Sequence, residues 1–499
     1  MLFSSYVFIF AFLPITLAGF YILKAYKFYT SSKVFLILAS LFFYAYFKVE
    51  YIFILAFSTI INYFLASWIL RKDNGGGYTL LGLGIIFNLI LLGVFKYTNF
   101  FLENFNLFSK LINLDFNIPL PHILLPLGIS FFTFQEIAFL VDCYKKSNIE
   151  DLSEKKKIDF IDYCLFVSFF PQLIAGPIVH HKEIIPQFHS LLNKNNPLVN
   201  WELIAKGLFI FSIGFFKKIF IADSFAVWAN AGFKVVQDGK FLNIFEAWAT
   251  SLSYTFQLYF DFSGYCDMAI GLALFFGIIL PMNFNSPYKA LNIADFWRRW
   301  HMTLGRFLKD YLYIPLGGNR AGKIINLRNL FIVAFVSGVW HGAGWGFVIW
   351  GTLHAFAMIS HRIYSFFIED KKAINSKFYK FLTWFITFNF INTTWIFFRS
   401  ENLTGAINLL KSMFGIVWIE LPHKFYKAPD VLKTIGGNDK TIGFFIVAFI
   451  LCLVFRNSID KTQNLKIDYK GAIFTTLLLF FASMALIYTP YVEFIYFNF

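Results

Sequence analysis

Apolar runs long enough to cross a lipid bilayer recur along this chain of 499 residues. Hydrophobic residues make up 58% of the sequence, and 71 residues are phenylalanine. A helix needs roughly 20 apolar residues to span the hydrocarbon core, and a spanning segment must satisfy its own backbone hydrogen bonds. The pattern therefore predicts an all-α polytopic membrane protein with roughly 11–13 transmembrane helices. Four of the predicted spans are Ile158–Ile178, Ile244–Phe260, Met268–Pro281 and Leu330–Trp350.

The spacing of these runs bears on domain organisation. No linker separates them, so we predict a single membrane domain over residues 1–499. Two stretches are too polar to span. Residues 283–329 are rich in tryptophan, tyrosine and arginine, which is typical of interfacial or re-entrant helices. Residues 399–440 begin with an amphipathic stretch and are expected to lie along a membrane face.

Two histidines stand at positions where a membrane protein seldom carries a titratable group. His341 lies inside the predicted span Leu330–Trp350, and His301 lies in the sequence Phe-Trp-Arg-Arg-Trp-His-Met-Thr-Leu at 296–304. Such groups are costly at membrane depth and by default mark a functional pathway. Histidine is also the side chain best suited to moving a proton near neutral pH. A lone membrane histidine often only bonds a neighbouring helix, but the pair favours chemistry inside the bilayer.

Two carboxylates interrupt an apolar, aromatic stretch. Asp261 and Asp267 lie in the run Gln257–Asp267. A charged carboxylate at the bilayer centre costs about 2.5–3.5 kcal/mol, so each is expected to face a polar cavity or to pair with a cation. Pairing with Arg298 or Arg299 is at least as good an explanation as catalysis. Gly264, between the carboxylates, is expected to allow a close backbone approach or a helix break.

A cluster of basic residues surrounds the turn that follows Pro315. Its members are Arg298, Arg299, Arg306, Arg320, Lys323 and Arg328. They predict a cationic mouth that attracts a phosphorylated donor, although positively charged cytoplasmic loops are an equally good explanation. Glycines at 342, 344 and 346 follow His341 at alternate positions. They favour close helix packing, or they admit a substrate beside the imidazole.

Taken together, these motifs resemble the membrane-bound O-acyltransferase family. The resemblance rests on 296–304, Asp310–Arg320, Gln257–Asp267 and Trp340-His341-Gly342-Ala343, and it covers nearly the whole chain. It is strongest to the bacterial branch that acetylates alginate and peptidoglycan. It implies a ring of helices around a central funnel, in which a cytoplasmic donor meets an extracytoplasmic acceptor. It also implies a multi-pass protein of the bacterial cytoplasmic (inner) membrane.

The resemblance also implies roles for individual residues. His341 corresponds to the essential catalytic histidine and would act as general base. His301, a position that is often asparagine elsewhere in the family, would orient the thioester or stabilise its oxyanion. The expected substrate- or donor-binding residues are Trp340, Arg298, Arg299, Asp261, Gln257, Asp310 and Arg320. No metal and no bound cofactor are expected, and acetyl-CoA is the expected acetyl donor.

The C-terminus carries a further resemblance. The sequence Phe494–Phe499 is similar to the tyrosine motif at the C-terminus of the small partner peptide in teichoic-acid D-alanyl transfer. That tyrosine is thought to carry the acyl group transiently, which makes Tyr496 a candidate acetyl carrier. A phenol has a pKa near 10 and needs a nearby base to act as a nucleophile at neutral pH. The alternative is an interfacial tyrosine that anchors the last helix.

We therefore predict an O-acetyltransferase that moves acetyl from a cytoplasmic thioester toward a cell-envelope polysaccharide, with peptidoglycan favoured. Its expected partners are a separate extracytoplasmic polysaccharide acetyltransferase, acetyl-CoA and membrane lipids, and no nucleic acid. Within the same class, the alternatives are alginate or exopolysaccharide acetylation and D-alanyl transfer to teichoic acid. An alternative from another class is a proton-coupled transporter or flippase, but the sequence lacks the inverted repeats common in transporters.

Overall fold

A computed structural model describes residues 1–72, 76–114, 116–147, 158–191, 197–367, 376–421, 428–488 and 492–498. The described residues form helices joined by turns and loops, and no strand occurs among them. The all-α prediction is therefore confirmed. The chain forms two compact units, one made of 1–211 with 268–281 and the other of 212–267 with 282–499. The single-domain organisation stays a prediction.

Among the described residues, the first unit contains eight complete helices, the first eleven residues of a ninth and the end of a longer helix. In chain order they are α1 (Leu13–Ala25), α2 (Tyr29–Ala45), α3 (Glu50–Arg71), α4 (Tyr78–Leu111), α5 (Ile129–Ser147), α6 (Phe160–Ser168), α7 (Phe170–Leu173), α8 (His181–Ser190) and α9 (Trp201–Phe216), before the end of α11 (Ile244–Phe275). A π-helical turn, Phe8–Phe12, precedes α1. The predicted span Ile158–Ile178 is wrong as a single helix, because the chain leaves the helical conformation at Phe169 between α6 and α7.

The second unit contains the end of α9, the rest of α11 and the remaining helices. They are α10 (Asp223–Gln237), α12 (Ile293–Arg299), α13 (Met302–Leu308), α14 (Lys323–His341), α15 (Trp345–Phe367), α16 (Lys377–Arg399), α17 (Leu403–Met413), α18 (Ala428–Val431), α19 (Asp439–Leu453), α20 (Ser458–Gln463) and α21 (Tyr469–Tyr488). π-Helical turns occupy Lys217–Ala222 and Lys309–Tyr313, and 3₁₀ turns occupy Pro287–Lys289, Lys433–Ile435 and Ile495–Asn498.

Six helical segments in the described part of the chain are long and apolar enough to cross a membrane. They are Phe8–Ala25, Glu50–Arg71, Tyr78–Leu111, Lys323–His341, Lys377–Arg399 and Tyr469–Ile487. Helices α11 and α15 are equally long but carry carboxylates or histidines. The multi-pass membrane class is confirmed. The larger number of crossings and the ring around a funnel stay predictions.

Helix α11 differs from its predicted form. The predicted span Ile244–Phe260 and the first eight residues of the predicted span Met268–Pro281 instead belong to one continuous helix of 32 residues, which also carries Asp261 and Asp267 and ends at Phe275. The helix continues through Gly264, so the predicted helix break is wrong and the predicted close approach is confirmed. A Cβ at Gly264 would lie 2.8 Å from the backbone oxygen of Gly214 near the end of α9 and 3.1 Å from the backbone nitrogen of Lys218, which shows how closely α11 packs against the end of α9 and the turn Lys217–Ala222.

The two polar stretches consist of short elements. Residues 283–329 hold a 3₁₀ turn, α12, α13, a π-helical turn and the first turns of α14. In the second stretch, α17 ends at Met413, and Gly415 adopts a left-handed φ of 64°. Some elements lie wholly within the described parts of these two stretches. All of them are too short to span a bilayer. Their interfacial or re-entrant position stays a prediction.

Candidate active site

His341 is the last residue of α14 and not the middle of a span. After it the backbone becomes extended at Gly342, and α15 begins at Trp345. The predicted span Leu330–Trp350 is therefore wrong, because its apolar run continues across the end of α14, the extended backbone at Gly342 and the start of α15. The His341 ring is buried, with centroids 4.9 Å from Trp340 and 5.2 Å from both Trp350 and Phe398. The imidazole lies in an aromatic enclosure.

The glycines that follow His341 serve close packing. A Cβ at Gly342 would lie 2.1 Å from the ring of Phe347, and one at Gly346 would lie 2.3 Å from the backbone oxygen of Phe397. Phe347 and the end of α16 thus fill the space in which a substrate was alternatively expected. The packing interpretation is confirmed at these two positions.

His301 occupies a strained backbone position at the start of α13. Its φ of 46° and ψ of 52° are left-handed, which costs an ordinary residue roughly 1–2 kcal/mol. Histidine is among the residues that tolerate this region best. Two backbone hydrogen bonds hold the conformation, because Met302 N–H donates to the Asn283 oxygen (2.9 Å) and Asn285 N–H donates to the Arg299 oxygen (2.9 Å).

The hydrogen bonds around Asn283 assign the tautomer of His301. Asn283 Oδ1 accepts from Thr303 N–H (3.2 Å) and Thr303 Oγ1 (2.9 Å), so it faces donors. His301 Nδ1, 3.1 Å from the same oxygen, must then carry the proton and donate. In the neutral ring, Nε2 is consequently an acceptor.

Burial keeps the His301 ring neutral. His301 lies outside the helices identified as spans, and desolvation lowers its pKa to about 3. A neutral ring with Nδ1 protonated accepts a hydrogen bond or a proton at Nε2 and cannot donate there. The predicted oxyanion-stabilising role would require a donor at Nε2. The geometry favours a different task for His301, which is to hold a hydroxyl group.

The C-terminal segment brings Tyr496 to the two histidines. Tyr496 is buried in the 3₁₀ turn Ile495–Asn498, and its ring centroid lies 6.0 Å from His341 and 6.4 Å from His301. The histidine rings are themselves 6.4 Å apart. Phe262 packs against the Tyr496 ring at 4.2 Å. All three predicted catalytic residues, together with Trp340, therefore lie in one buried cluster.

The surroundings make Tyr496 a poor nucleophile without help. Burial raises the pKa of its phenol well above the ordinary value. The phenol is therefore protonated at neutral pH, and attack requires removal of its proton by a base. The two imidazole rings lie beside the phenol ring and are the basic side chains that we expect to serve this purpose.

Trp350 contacts both His341 and a further histidine, His354. Its ring is 4.7 Å from Trp350, and its Nε2 lies 3.0 Å from Thr394 Oγ1. Trp350 in turn stacks on Trp395 at 5.5 Å. These contacts make His354 a packing residue beside the enclosure.

The buried carboxylates pair with lysines and not with the arginines suggested by the sequence. Asp261 lies 2.8 Å from Lys218, and Asp267 lies 2.7 Å from Lys217. Arg299 instead pairs with Asp295 on the preceding turn at 2.9 Å. Neither lysine was predicted to pair with these carboxylates, although two adjacent lysines between phenylalanines and isoleucine are a detectable signal in the sequence. Gln257 is buried on α11, about one turn before Asp261.

A cavity of about 680 Å³ in the second unit contains part of the predicted cationic mouth. Two of the six predicted basic residues, Arg298 and Arg320, line it. It also contains Lys309, His361 and Arg362, which the sequence analysis did not include. The last two lie on α15, where Met358, His361 and Arg362 follow the i, i+3, i+4 spacing of one helix face.

Asp310 and Arg328, two other residues of the prediction, do not line this cavity. Asp310 is half-buried in the π-helical turn that supplies Lys309 and Tyr313 to the lining. Arg328 donates to the backbone oxygen of Leu316 (3.3 Å) and to Asn329 Oδ1 (2.9 Å). Arg328 thus stabilises the turn after Pro315, a structural task.

The left-handed backbone at His301 leads to a prediction with two variants. His301→Asn keeps a residue that tolerates this conformation and retains a donor for Asn283. We expect it to fold like the wild type and to keep part of the transfer activity. His301→Ala is expected to lose roughly 1–2 kcal/mol of stability from the backbone alone and to transfer less. Thermal unfolding and acetyl transfer in purified membranes measure both, and an alanine variant as active as the asparagine variant would contradict the role of the side chain.

Comparison with known proteins places the chain in a family. The model of the MBOAT (membrane-bound O-acyltransferase) family matches residues 150–402, which include His301 and His341. The chain is 48% identical to a peptidoglycan O-acetyltransferase of Helicobacter pylori, covering 100% of this chain and 98% of that protein. The chain therefore belongs to the membrane-bound O-acyltransferase family, and it is an acyltransferase.

Two further relatives show the breadth of the similarity. A probable alginate O-acetylase AlgI of Pseudomonas aeruginosa is 38% identical over 91% of this chain and 81% of that protein. A teichoic acid D-alanyltransferase of Bacillus subtilis is 27% identical over 54% of this chain and 68% of that protein. The predicted family and enzyme class are confirmed, whereas the roles of individual residues stay predictions.

Proposed function

We propose that this membrane O-acyltransferase moves acetyl from a cytoplasmic thioester to the extracytoplasmic side of the bacterial cytoplasmic membrane, for O-acetylation of peptidoglycan. The observation that carries the proposal is the buried cluster of His301, His341 and Tyr496. The choice of peptidoglycan follows the Helicobacter pylori relative, with which the similarity extends over the whole chain. A separate extracytoplasmic transferase would place the acetyl group on the glycan.

In the first half-reaction, the Tyr496 oxygen would attack the thioester carbonyl. A C–O bond forms, the C–S bond breaks, and the thiol leaves with a proton. His341 would accept the phenol proton as general base, since a buried phenol is a poor nucleophile on its own. Because the single phenol proton goes to His341, His301 Nε2 would instead accept a hydrogen bond from a hydroxyl of the acceptor.

In the second half-reaction, a hydroxyl of the acceptor would attack the acetyl ester on Tyr496. The new ester C–O bond forms, the bond to the phenol oxygen breaks, and His341 transfers a proton from the attacking hydroxyl to the departing phenolate. Passage from thioester to aryl ester to alkyl ester is downhill or nearly neutral. No ion gradient is needed.

The basic cavity is the proposed site for the phosphates of acetyl-CoA. Arg298, Arg320 and Arg362 together supply planar donors suited to phosphate oxygens. Arg298 lies three residues before His301, so a short stretch of chain joins the cavity to the histidine cluster. The cavity would therefore hold the polar end of the donor.

This assignment predicts a binding defect. Arg320→Gln is expected to raise the KM for acetyl-CoA by roughly tenfold with little change in kcat, as for loss of one charge-assisted hydrogen bond. Lys323→Gln is the matched control, since Lys323 is also an exposed cation of this region but lies over the ring of Phe366. Initial rates against acetyl-CoA concentration in proteoliposomes separate the two constants. An equal KM change in both variants would indicate a general charge effect and contradict the site.

The acceptor is tested on the cell wall. Base-labile acetate is measured on peptidoglycan purified from cells with the wild-type gene, a deletion and His341→Ala. Loss of acetate in both mutants, with protein levels unchanged, supports the proposal. Unchanged acetate would exclude peptidoglycan, and the same assay would then be applied to exopolysaccharides.

A further inference from the structure

The C-terminal segment is attached to the second unit through its backbone. Asp261 Oδ2 accepts a hydrogen bond from the N–H of Ile495 at 2.8 Å. Lys218 Nζ donates to the backbone oxygen of Val492 at 3.2 Å. The two contacted residues, Val492 and Ile495, lie on either side of Phe494, and Ile495 directly precedes Tyr496. They recognise main-chain atoms and leave the tyrosine side chain to the histidine cluster.

The groups that make these contacts belong to a buried ion triad. Lys218 Nζ lies 2.8 Å from Asp261 Oδ1 and 2.8 Å from Asp223 Oδ1. All three side chains are at most 6% exposed. Burying charges costs free energy that even good pairing often fails to repay, so structural stability alone is a weak reason for such a triad.

Local features bring the triad together. Lys218 lies in the π-helical turn Lys217–Ala222, a helix irregularity that is frequent at functional sites. Gly264 lets α11 approach this turn, since a Cβ there would lie 3.1 Å from the backbone nitrogen of Lys218. Asp261 is about one turn earlier on α11. The lysine and the carboxylate are thus fixed by packed helices and not by flexible loops.

We propose that Lys218 and Asp261 are positioning residues that clamp the C-terminal segment and thereby set Tyr496 against His301 and His341. The inference rests on the proposed role of Tyr496 as acetyl carrier. Aromatic contacts complete the clamp, since Phe494 stacks on Tyr265 at 4.4 Å while Tyr496 packs on Phe262. This assigns Asp261 to the protein's own tail, in place of the substrate- or donor-binding role expected from the sequence.

The clamp is tested by removing one backbone donor while the charges stay in place. Ile495→Pro lacks the N–H that Asp261 accepts. Residue 495 is the first residue of the 3₁₀ turn, a place where proline is tolerated. Ile495→Val keeps the N–H and is the matched control. Hydrogen–deuterium exchange of the peptide 492–499 reports docking, and mass spectrometry after incubation with acetyl-CoA reports acetyl on Tyr496.

In Ile495→Pro we expect the remaining amides of 492–499 to exchange at least tenfold faster, as for loss of a hydrogen bond to a charged group. Acetyl loading of Tyr496 should fall by a similar factor. Ile495→Val should keep wild-type protection within twofold. A second variant, Asp261→Asn, should also speed exchange, and its effect should not add to that of Ile495→Pro.

The outcomes separate the clamp from the proposed carrier. Unchanged protection in Ile495→Pro would overturn the clamp, whatever the activity. Lost protection with unchanged acetyl loading would also overturn it, because docking would then not position the tyrosine. If Tyr496→Phe transfers acetyl normally while the segment stays protected, the carrier role fails and the docking contacts remain.

Discussion

His341→Ala is expected to lose acetyl transfer by a factor of roughly 10²–10⁴, the usual contribution of a general base. His341 is the end of α14, and its ring lies in contact distance of Tyr496 and of three aromatic side chains. The proton would pass between neighbouring side chains, since the two ring centroids are 6.0 Å apart. The loss should appear in kcat, because the imidazole acts on the reacting proton.

The measurement is transfer from labelled acetyl-CoA in purified membranes, with protein amount and thermal unfolding recorded in parallel. His354→Ala is the matched control, because it removes a second buried imidazole from the same aromatic enclosure, on the far side of Trp350. We expect the control to lose activity by less than about tenfold, as for a packing residue. Intact transfer in His341→Ala would show that the catalytic assignment is wrong, and equal losses in both variants would point to packing instead.

The parts of this molecule that could be predicted from sequence depend on local properties. Membrane-spanning length follows from apolar runs, and the cost of a titratable group at depth singles out His341 without any knowledge of the fold. His301 was identified by its motif at 296–304. The motif around His341 also indicated the family. Tyr496 was found because its short motif is contiguous in the chain.

The parts that could not be predicted depend on contacts between distant residues. Asp261 and Ile495 are 234 positions apart, and nothing local to either one indicates the other. The end of α14 at His341 was missed because the apolar run continues across the glycine turn, and hydropathy does not register a turn between two apolar helices. The tautomer of His301 depends on Asn283, 18 residues earlier, and on a left-handed backbone that sequence patterns do not show.

Tyr496→Phe is expected to abolish transfer to the acceptor, by more than about 10³-fold if the phenol oxygen carries the acetyl group as an obligatory covalent intermediate. The substitution removes one oxygen and keeps the ring that packs on Phe262 at 4.2 Å and against Phe494 at 5.8 Å. The segment should therefore stay docked. In the wild type, incubation with acetyl-CoA should give a hydroxylamine-labile acetyl group on the C-terminal peptide.

Tyr265→Phe is the matched control, since it removes a phenol oxygen from the ring that stacks on Phe494 while leaving Tyr496 intact. Transfer should be lost in Tyr496→Phe and largely kept in Tyr265→Phe. If both variants transfer at the wild-type rate, acetyl passes directly from the thioester to the acceptor hydroxyl, and the segment would anchor the last helix. If acetyl is found on Tyr496 and Tyr496→Phe is nevertheless fully active, the modification is a side reaction. Loss of transfer in Tyr496→Phe with acetyl on the wild-type peptide would establish the covalent route, because no packing change accompanies the loss of a single oxygen.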